Sequence, residues 1–251
     1  MSAPTATATT TPARPPGATL RLTGTRLGHH PASTPVLDGL HLSVGAGEVL
    51  TVVGPSGCGK STLLRTLAGL LPPLAGTVEQ DGRPVTRPDA DRALVFQDDA
   101  LLPWRTVRAN VELPLAIRGT PRAERRRTAG DWLARVGLAD HAHKHPHQLS
   151  GGQRQRVQLA RALASAPRAV LMDEPFGALD AQTRSEMQDL LVTVLAGTGA
   201  TVVFVTHDVD EALFLGDRVA LLATGEVIDV PHPRSRTADR SALRGRVIDS
   251  L

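Results

Sequence analysis

The chain has 251 residues, a formal net charge of +3, a 41% apolar fraction and a single cysteine. These values are ordinary for a globular protein with an ample core, exclude an intrachain disulfide framework, and give no sign of a nucleic-acid partner. The absence of tyrosine argues against a base-stacking surface. No apolar run reaches the roughly 20 residues that a membrane-spanning helix needs.

The chain begins with a tail that offers almost nothing to bury. Residues 1–18 are mainly Thr, Ala and Pro, which predicts disorder. Further along, residues 49–53, 169–172 and 201–205 form apolar runs that lead directly into polar residues, as in strands buried on both faces. Helical patterns separate these runs, so we predict an α/β fold with a mainly parallel sheet. Its ligands should bind beyond the carboxyl ends of the strands.

Two regions differ from this alternation of strands and helices. Residues 20–44 and 77–85 contain shorter strands with turn signals, which predict an antiparallel β edge. Residues 98–166 are mainly helical in pattern and are punctuated by prolines. We interpret this second region as a helical subdomain inserted into the α/β core.

A glycine-rich loop follows the first buried strand and opens a helix, the context in which a phosphate-binding loop is expected. The loop consists of Gly54, Pro55, Ser56, Gly57, Cys58, Gly59, Lys60 and Ser61, with Thr62 next in the helix. Its backbone N–H groups would cradle the β- and γ-phosphates of a nucleotide, and Lys60 would add a positive charge. The hydroxyl of Ser61 is suited to bind Mg²⁺. We interpret Cys58 as a small residue that the loop tolerates, not as a redox centre.

Two carboxylates, Asp173 and Glu174, end the apolar run 169–172. Adjacent residues on a strand point to opposite faces, so the two acids should have different roles. We expect Asp173 to hold Mg²⁺ through water, and Glu174 to polarise the attacking water as a general base. Acidic pairs at strand ends also occur as simple caps, but the phosphate-binding loop favours the catalytic interpretation.

Two further polar residues end apolar runs. Gln97 follows residues 93–96, from where it would contact Mg²⁺ and the attacking water. His207 follows residues 201–205, and a histidine at the carboxyl end of a sheet strand can reach a γ-phosphate. Each residue alone would be an ordinary surface or structural side chain, so both assignments depend on the loop and the carboxylates.

A second glycine-rich turn lies far downstream, where residues 149–153 read Leu-Ser-Gly-Gly-Gln. The glycines let backbone N–H groups approach a ligand closely, and good helix formers follow. We therefore predict a helix N-terminus that favours phosphate. Its candidate binding residues are Ser150, Gly151, Gly152 and Gln153. By itself such a stretch is usually only a turn.

Taken together, these motifs resemble the nucleotide-binding subunit of ATP-binding-cassette (ABC) transporters over roughly residues 19–230. Their order and spacing match the family's Walker A loop at 54–61, Q-loop at Gln97, signature at 149–153, Walker B strand at 169–174, D-loop ending at Asp180 and switch histidine at His207. The resemblance implies a P-loop NTPase cassette over residues 19–251, with ATP as its nucleotide and Asp180 as a further ATP-site residue.

The resemblance also implies an assembly. In this family two cassettes pack head to tail, and each signature completes the ATP site of the other, which predicts a homodimer. The partners implied are integral membrane permease subunits and, through them, an extracellular solute-binding protein, with no nucleic acid. The subunit would be cytoplasmic and peripheral on the cytoplasmic face of the cell membrane.

A finer resemblance lies in the Leu-Leu-Pro-Trp segment at 101–104, which looks like importers of the nitrate, sulfonate, taurine and bicarbonate group. We therefore expect an ATPase that drives uptake of a small anion. Trp104 is interpreted either as an anchor for the permease or as a core residue of the helical subdomain. An exporter subunit and a non-transport ABC ATPase are the alternative functions, whereas a kinase leaves the signature and His207 unexplained.

Two features fit the family less directly. The family usually stacks adenine on an aromatic residue, but residues 26–30 contain none, so His29 and His30 are the substitute candidates. Histidines also alternate between His141 and His147, which suggests a metal site. Pro146 breaks any helix that would align them, and a surface linker is the favoured interpretation.

Overall fold

The computed structural model describes residues 17–28, 34–98 and 100–250. The strands in this part of the chain are β1 (Leu20–Leu27), β2 (Leu37–Val44), β3 (Val49–Val53), β4 (Ala75–Gln80), β5 (Arg83–Pro84), β6 (Arg92–Val95), β7 (Ala169–Asp173), β8 (Thr201–Thr206), β9 (Arg218–Leu221) and β10 (Val227–Asp229). The helices are α1 (Lys60–Leu67), α2 (Val107–Ile117), α3 (Arg122–Arg135), α4 (Gly151–Ala164), α5 (Ala181–Ala196), α6 (Val209–Leu215) and α7 (Ser241–Asp249). Short 3-10 turns lie at Ala139–His141 and Pro146–Gln148.

The larger sheet has the strand order β10-β9-β3-β8-β7-β6. Its strands from β9 to β6 are parallel, and β10 joins β9 antiparallel. The predicted parallel core is therefore confirmed. Because β3, β8, β7 and β6 are neighbours, their carboxyl ends meet at one edge of the sheet, and the residues that follow them can converge there.

Both faces of this sheet are covered, as the continuous apolar runs predicted. Along β7, Val170 and Met172 pack into the cluster that includes α4 and α5, whereas Ala169 and Leu171 pack into the cluster that includes α1. All four side chains are buried. The central strands are therefore a rigid support for the loops at their carboxyl ends.

The smaller sheet has the order β2-β1-β4-β5 and is antiparallel throughout. The predicted antiparallel edge is confirmed. Leu20 and Leu22 of β1 are buried in the same cluster as Leu63 and Leu67 of α1. The helix that begins in the phosphate-binding loop is thus held between the two sheets.

Helices α2, α3 and α4 form a helical subdomain with its own packed interior. Trp132 of α3 is buried there beside Val111 and Leu133. Trp104, in contrast, is 73% exposed. The interpretation of Trp104 as a core residue is therefore wrong, because Trp132 fills that position.

The described part of the chain starts two residues before the expected end of the tail. Gly17 and Ala18 were assigned to the disordered segment, yet Ala18 is fully buried and its N–H donates to the carbonyl of Arg168 at 3.1 Å. A Cβ at position 17 would lie 2.4 Å from the Gly47 nitrogen. The packed domain therefore includes Gly17 and Ala18, and the remainder of the predicted tail, residues 1–16, lies outside the described residues. Among the helices described, none has the length and apolarity to cross a membrane.

Candidate functional site

The loop between β3 and α1 depends on glycine at one position in particular. Gly59 has φ of 104°, and a Cβ there would lie 2.9 Å from Cγ1 of Val36. Glycine alone adopts this conformation at low cost. Gly59 also caps α1 without any side-chain hydrogen bond, so the N–H groups of the first helical turn point out of the helix without intrahelical acceptors. This arrangement is suited to bind an anion.

Lys60, near the end of the phosphate-binding loop, is held by backbone carbonyls of the same loop. The residue is 6% exposed, and its Nζ donates to the carbonyls of Gly54 at 2.7 Å and Pro55 at 3.1 Å. The same nitrogen lies 3.6 Å from Oε1 of Glu174. The ammonium group is thus fixed at the carboxyl end of the sheet, facing the carboxylate proposed as the general base.

Glu174 connects the lysine with the histidine. Its Oε2 lies 2.8 Å from Nδ1 of His207, while its backbone N–H donates to the carbonyl of Val205 at 3.0 Å. The backbone φ of Glu174 is 43°, in the left-handed region that glutamate rarely adopts. Such strain is typical of functional positions, where the surrounding structure imposes a particular side-chain direction.

Asp173 lies next to the start of α1. Burial raises the pKa of Asp173 above its usual value, with a smaller contribution from the nearby charge of Glu174, whereas the neighbouring hydroxyl of Ser61 lowers it. Asp173 and Glu174 therefore have different partners. Because β7 ends at Asp173 and Glu174 has a left-handed φ, this difference does not come from the predicted alternation along a strand. The hydroxyl and carboxylate oxygens form a pair of hard ligands that fits Mg²⁺.

Part of this site lines one pocket of about 380 Å³, whose lining does not include Asp173 or His207. The lining residues are Val36, Ser56, Gly57, Gly59, Lys60, Ser61, Thr62, Arg65, Gln97 and Glu174. Sequence reasoning had not included Val36 or Arg65. Arg65 opposes the raised pKa of Asp173 through its positive charge. Its position, one helical turn beyond Ser61, is the signal that could have indicated it. Cys58 packs against the apolar cluster below the loop.

The loop that carries Gln97 is attached to α4. Gln158, which is 1% exposed, donates from Nε2 to the carbonyls of Phe96 at 3.0 Å and Asp98 at 2.9 Å. Gln155 donates to the carbonyl of Gln97 at 3.3 Å. No pattern in the sequence indicates these contacts, because the acceptors are backbone carbonyls about sixty residues away.

The second glycine-rich turn begins α4, as predicted. Ser150 Oγ accepts from the Gln153 N–H at 3.3 Å, and Gln153 Oε1 accepts from the Ser150 N–H at 3.1 Å, forming a capping box. Among the described residues that line the phosphate-loop pocket, none comes from 149–153. Within one chain, the structure does not bring this turn to Lys60.

Asp180 is likewise outside that pocket lining. It caps α5, accepting from the Thr183 N–H at 3.0 Å and from the Thr183 hydroxyl at 2.7 Å. These two hydrogen bonds lower the pKa of Asp180 below its usual range. The side chain therefore has a structural partner within its own chain.

The histidines before α4 do not converge on one point. The rings of His145 and His147 stack with centroids 5.8 Å apart, and Nε2 of His141 lies 3.4 Å from Nε2 of Gln153. In the part of the chain that the structure describes, no three His, Cys, Asp or Glu side chains are grouped to hold a metal ion. The adenine-stacking candidates His29 and His30 lie outside the described residues. Beside them, Leu27 is buried and Arg26 pairs with Asp38 at 3.1 Å.

Comparison with known proteins gives a consistent result. The ABC transporter family model matches residues 37–177, more than half of the chain. The taurine import ATP-binding protein TauB of Chromobacterium violaceum is 54% identical over 191 residues, which cover 76% of this chain and 73% of that protein. TauB of Pseudomonas entomophila is 52% identical over 200 residues, covering 79% and 77% of the two chains.

Solved structures agree with this assignment. The dimeric ATP-binding cassette MJ0796, in a post-hydrolysis state bound to ADP and Pi, superposes with a TM-score of 0.72 at 34% identity, over 84% of this chain and 99% of that one. The α/β fold with its antiparallel and helical subdomains is that of the cassette. The chain therefore belongs to the ABC transporter family, as an ATP-hydrolysing subunit of an importer.

Proposed function

We propose that two copies of this chain bind two MgATP molecules between them and use hydrolysis to drive uptake of a small sulfonate, such as taurine, through a separate permease. One observation carries the catalytic part of this proposal. The Glu174 carboxylate lies between Lys60 Nζ at 3.6 Å and His207 Nδ1 at 2.8 Å, at a pocket built by the phosphate-binding loop. This arrangement supports a water molecule activated beside a γ-phosphate.

Each residue has a separate task at the nucleotide. The N–H groups of the first turn of α1 bind the phosphates, and Lys60 neutralises the charge on the β- and γ-phosphates. Ser61 and Asp173 hold Mg²⁺, with Gln97 as a further oxygen ligand, and the ion would neutralise phosphate charge. The closeness of the Ser61 hydroxyl to the Asp173 carboxylate, which lowers the pKa of Asp173, supports this pairing of ligands.

Hydrolysis needs a base aligned with the attacking water. Glu174 accepts a proton from that water as the water oxygen attacks the γ-phosphorus. The bond between the γ-phosphorus and the β,γ-bridging oxygen breaks at the same time. His207 holds the orientation of the Glu174 carboxylate and contacts the γ-phosphate. Gln97 lines the same pocket as Glu174, from where it would contact the attacking water.

The site is completed by a second copy of the chain. Ser150, Gly151, Gly152 and Gln153 begin α4, whose first turn has N–H groups available for an anion, yet they lie outside the lining of their own chain's pocket. A two-fold symmetric dimer would present this turn, together with Asp180, to the nucleotide of the partner. The likeness to a cassette solved as a dimer supports this arrangement.

The import function and its cargo are inferred from the relatives. The proteins that are 54% and 52% identical are taurine import subunits. We therefore propose a small sulfonate as the solute, a solute-binding protein outside the membrane, and a position on the cytoplasmic face beside the permease. The exposed indole of Trp104, in the loop after Gln97, is proposed as an anchor in the permease.

The test compares Glu174→Gln with the matched control Glu186→Gln. Glu186 is half exposed, and its contacts are a surface ion pair with Arg156 at 3.6 Å and a hydrogen bond accepted from Gln182 Nε2 at 3.3 Å, both away from the phosphate-loop pocket. We expect Glu174→Gln to bind ATP, to lose nearly all hydrolysis and to accumulate as a dimer with ATP, whereas the control behaves like the parent. Sedimentation with and without ATP measures the dimer. A monomeric Glu174→Gln variant with full activity would exclude the mechanism.

The same variant tests the partners and the cargo. Purified from native membranes with ATP, Glu174→Gln should retain a permease, and recovery with ribosomes or DNA would contradict the importer assignment. Cells lacking that permease should lose uptake of radiolabelled taurine. Unchanged taurine uptake would exclude taurine as the cargo without affecting the ATPase assignment.

A further inference from the structure

One arginine connects two loops that lead to the proposed catalytic residues. Arg184 lies in the first turn of α5. Its Nη2 donates to the carbonyl of Leu179 at 3.0 Å, and its Nη1 lies 3.4 Å from Oδ2 of Asp208. The two contacts use two nitrogens of one rigid guanidinium plane, so the distance between Leu179 and Asp208 is fixed by the geometry of that group.

Both contacted residues lie in loops that carry candidate active-site groups. Leu179 ends the loop that begins at Glu174, and it precedes Asp180. Asp208 directly follows His207, whose Nδ1 is 2.8 Å from the Glu174 carboxylate. The chain and these contacts therefore form a closed ring, which runs from Glu174 to Leu179, across Arg184 to Asp208, and back through His207.

Asp208 divides its two carboxylate oxygens between separate tasks. Oδ1 caps α6 by accepting from the N–H groups of Asp210 at 2.9 Å and Glu211 at 3.1 Å. Oδ2 is left to face Arg184. The turn after His207 is thus attached to α6 on one side and to α5 on the other.

A second contact strengthens the attachment of this turn to α5. Gln188, one helical turn beyond Arg184, donates to Oε1 of the buried Glu211 at 3.1 Å. Helix α5 therefore contacts the start of α6 at two successive turns. Arg184 is the member of this pair that also reaches the loop after Glu174.

We propose that Arg184 is a positioning residue for ATP hydrolysis, which sets the His207–Glu174 contact by holding the Leu179 and Asp208 loops together. The inference depends on the roles proposed above for Glu174 and His207. Arg184 is absent from the lining of the phosphate-loop pocket, so its loss should reduce turnover and leave nucleotide binding intact.

The experiment uses two substitutions of Arg184 and a control substitution at another arginine that contacts the same helix. Arg184→Met keeps the apolar stem and removes both hydrogen bonds, whereas Arg184→Lys keeps the charge but reaches only one loop at a time. The control is Arg236→Met, because Arg236 contacts Asp189 Oδ1 at 2.8 Å, the Ser185 carbonyl at 3.1 Å and Gln188 Oε1 at 3.4 Å on α5 but makes no hydrogen bond to either loop. Each purified chain is assayed for kcat and KM, for affinity towards a fluorescent ATP analogue, and for unfolding by urea.

We expect Arg184→Met to lower kcat by at least about tenfold, because small displacements of catalytic groups are costly. Its nucleotide affinity should stay within about twofold of the parent. Misplaced catalytic groups lower kcat without weakening nucleotide binding, whereas general unfolding affects both. Arg184→Lys should recover part of the lost kcat. Arg236→Met should keep the parental kcat, although its free energy of unfolding should fall by about as much as that of Arg184→Met.

Three results would overturn the inference. They are a parental kcat in Arg184→Met, an equal loss of kcat in Arg236→Met, and a loss of nucleotide affinity as large as the loss of kcat. Glu174→Gln is measured in parallel to separate the two levels of the argument. Parental hydrolysis by Glu174→Gln would refute the proposed site itself, whereas an inactive Glu174→Gln beside a fully active Arg184→Met would refute only the role of Arg184.

Discussion

The attachment of the Gln97 loop to α4 can be tested by changing one buried amide. In Gln158→Glu the shape of the side chain is kept, but the donor group that faces the carbonyls of Phe96 and Asp98 is replaced by an acceptor. The two lost hydrogen bonds, at 3.0 and 2.9 Å, cost about 1 kcal/mol each. The remaining contribution to the loss of stability is the cost of burying a carboxylate beside two carbonyl oxygens.

The free-energy cost of burying this carboxylate has an upper limit, because the carboxyl group can take up a proton instead. Protonating an ordinary glutamate at pH 7.5 costs about 4 kcal/mol, at about 1.4 kcal/mol for each unit between its usual pKa and the pH. We therefore expect Gln158→Glu to lower the free energy of unfolding by about 2 to 6 kcal/mol at pH 7.5. If the carboxyl is protonated, the loss shrinks by up to about 3 kcal/mol at pH 5.5.

Urea denaturation at the two pH values measures this difference. The matched control is Gln182→Glu, an exposed position on α5, which should change stability by less than about 0.5 kcal/mol at either pH. A Gln158→Glu variant as stable as the parent at pH 7.5 would show that α4 does not hold the Gln97 loop. The attachment would then have no part in linking the ATP site to the helical subdomain.

Three further predictions concern other parts of the molecule. Gly59→Ala should weaken nucleotide binding and lower the melting temperature more than Gly57→Ala does. A Cβ at position 59 would lie 2.9 Å from Val36, whereas a Cβ at position 57 would meet nothing within 4 Å. Nucleotide titration and thermal denaturation compare the two variants. Burial raises the pKa of Glu211 in the folded chain, so its contribution to stability falls as pH rises through the interval between the unfolded and folded pKa values. The free energy of unfolding of Glu211→Gln, measured by urea denaturation, should therefore rise relative to that of the parent between pH 4 and pH 8. A difference between the two proteins that stays constant with pH would contradict a raised pKa for Glu211. Trp104→Ala should keep the ATPase activity of the isolated chain but lose co-purification with the permease, and retained co-purification would refute the anchor.

The sheet and the position of the site were predictable because each depends on a local pattern. The apolar runs before Gly54, Asp173 and His207 predicted parallel strands, and parallel strands bring their carboxyl ends together without further information. The start of α4 at Ser150 was predictable for a similar reason. A serine before two glycines and a run of good helix formers has the pattern of a helix cap.

Other features were not predicted, and most of them depend on packing between distant segments. The two tryptophans of the helical subdomain differ in burial because Trp132 lies on α3 beside the apolar Ala129, Leu133 and Val136, whereas Trp104 lies in a turn. Gln158 donates to the backbone carbonyls of Phe96 and Asp98, and Arg184 donates to that of Leu179. Every residue has such a carbonyl, so nothing in the sequence identifies these acceptors. The burial of Ala18 likewise follows from its contact with Arg168, far along the chain.

The most direct test of the account asks whether the turn at 149–153 acts on the nucleotide of a second chain. Two variants are prepared, Glu174→Gln and Gly151→Asp. A Cβ at position 151 meets only Arg154 Nη2 at 4.0 Å, so this substitution leaves its own fold intact while placing a negative charge where the partner's phosphate would lie. Each variant alone should hydrolyse almost no ATP.

Mixing them in equal amounts decides the question. If the turn acts across the dimer, each mixed dimer has one intact site, formed by Glu174 of one chain and the unmodified turn of the other. The mixture should then recover about a quarter of the parental ATPase rate, since half of the dimers are mixed and each has one working site of two. If the turn acts within its own chain, no intact site exists in any dimer, and a mixture as inactive as its components would contradict the central claim.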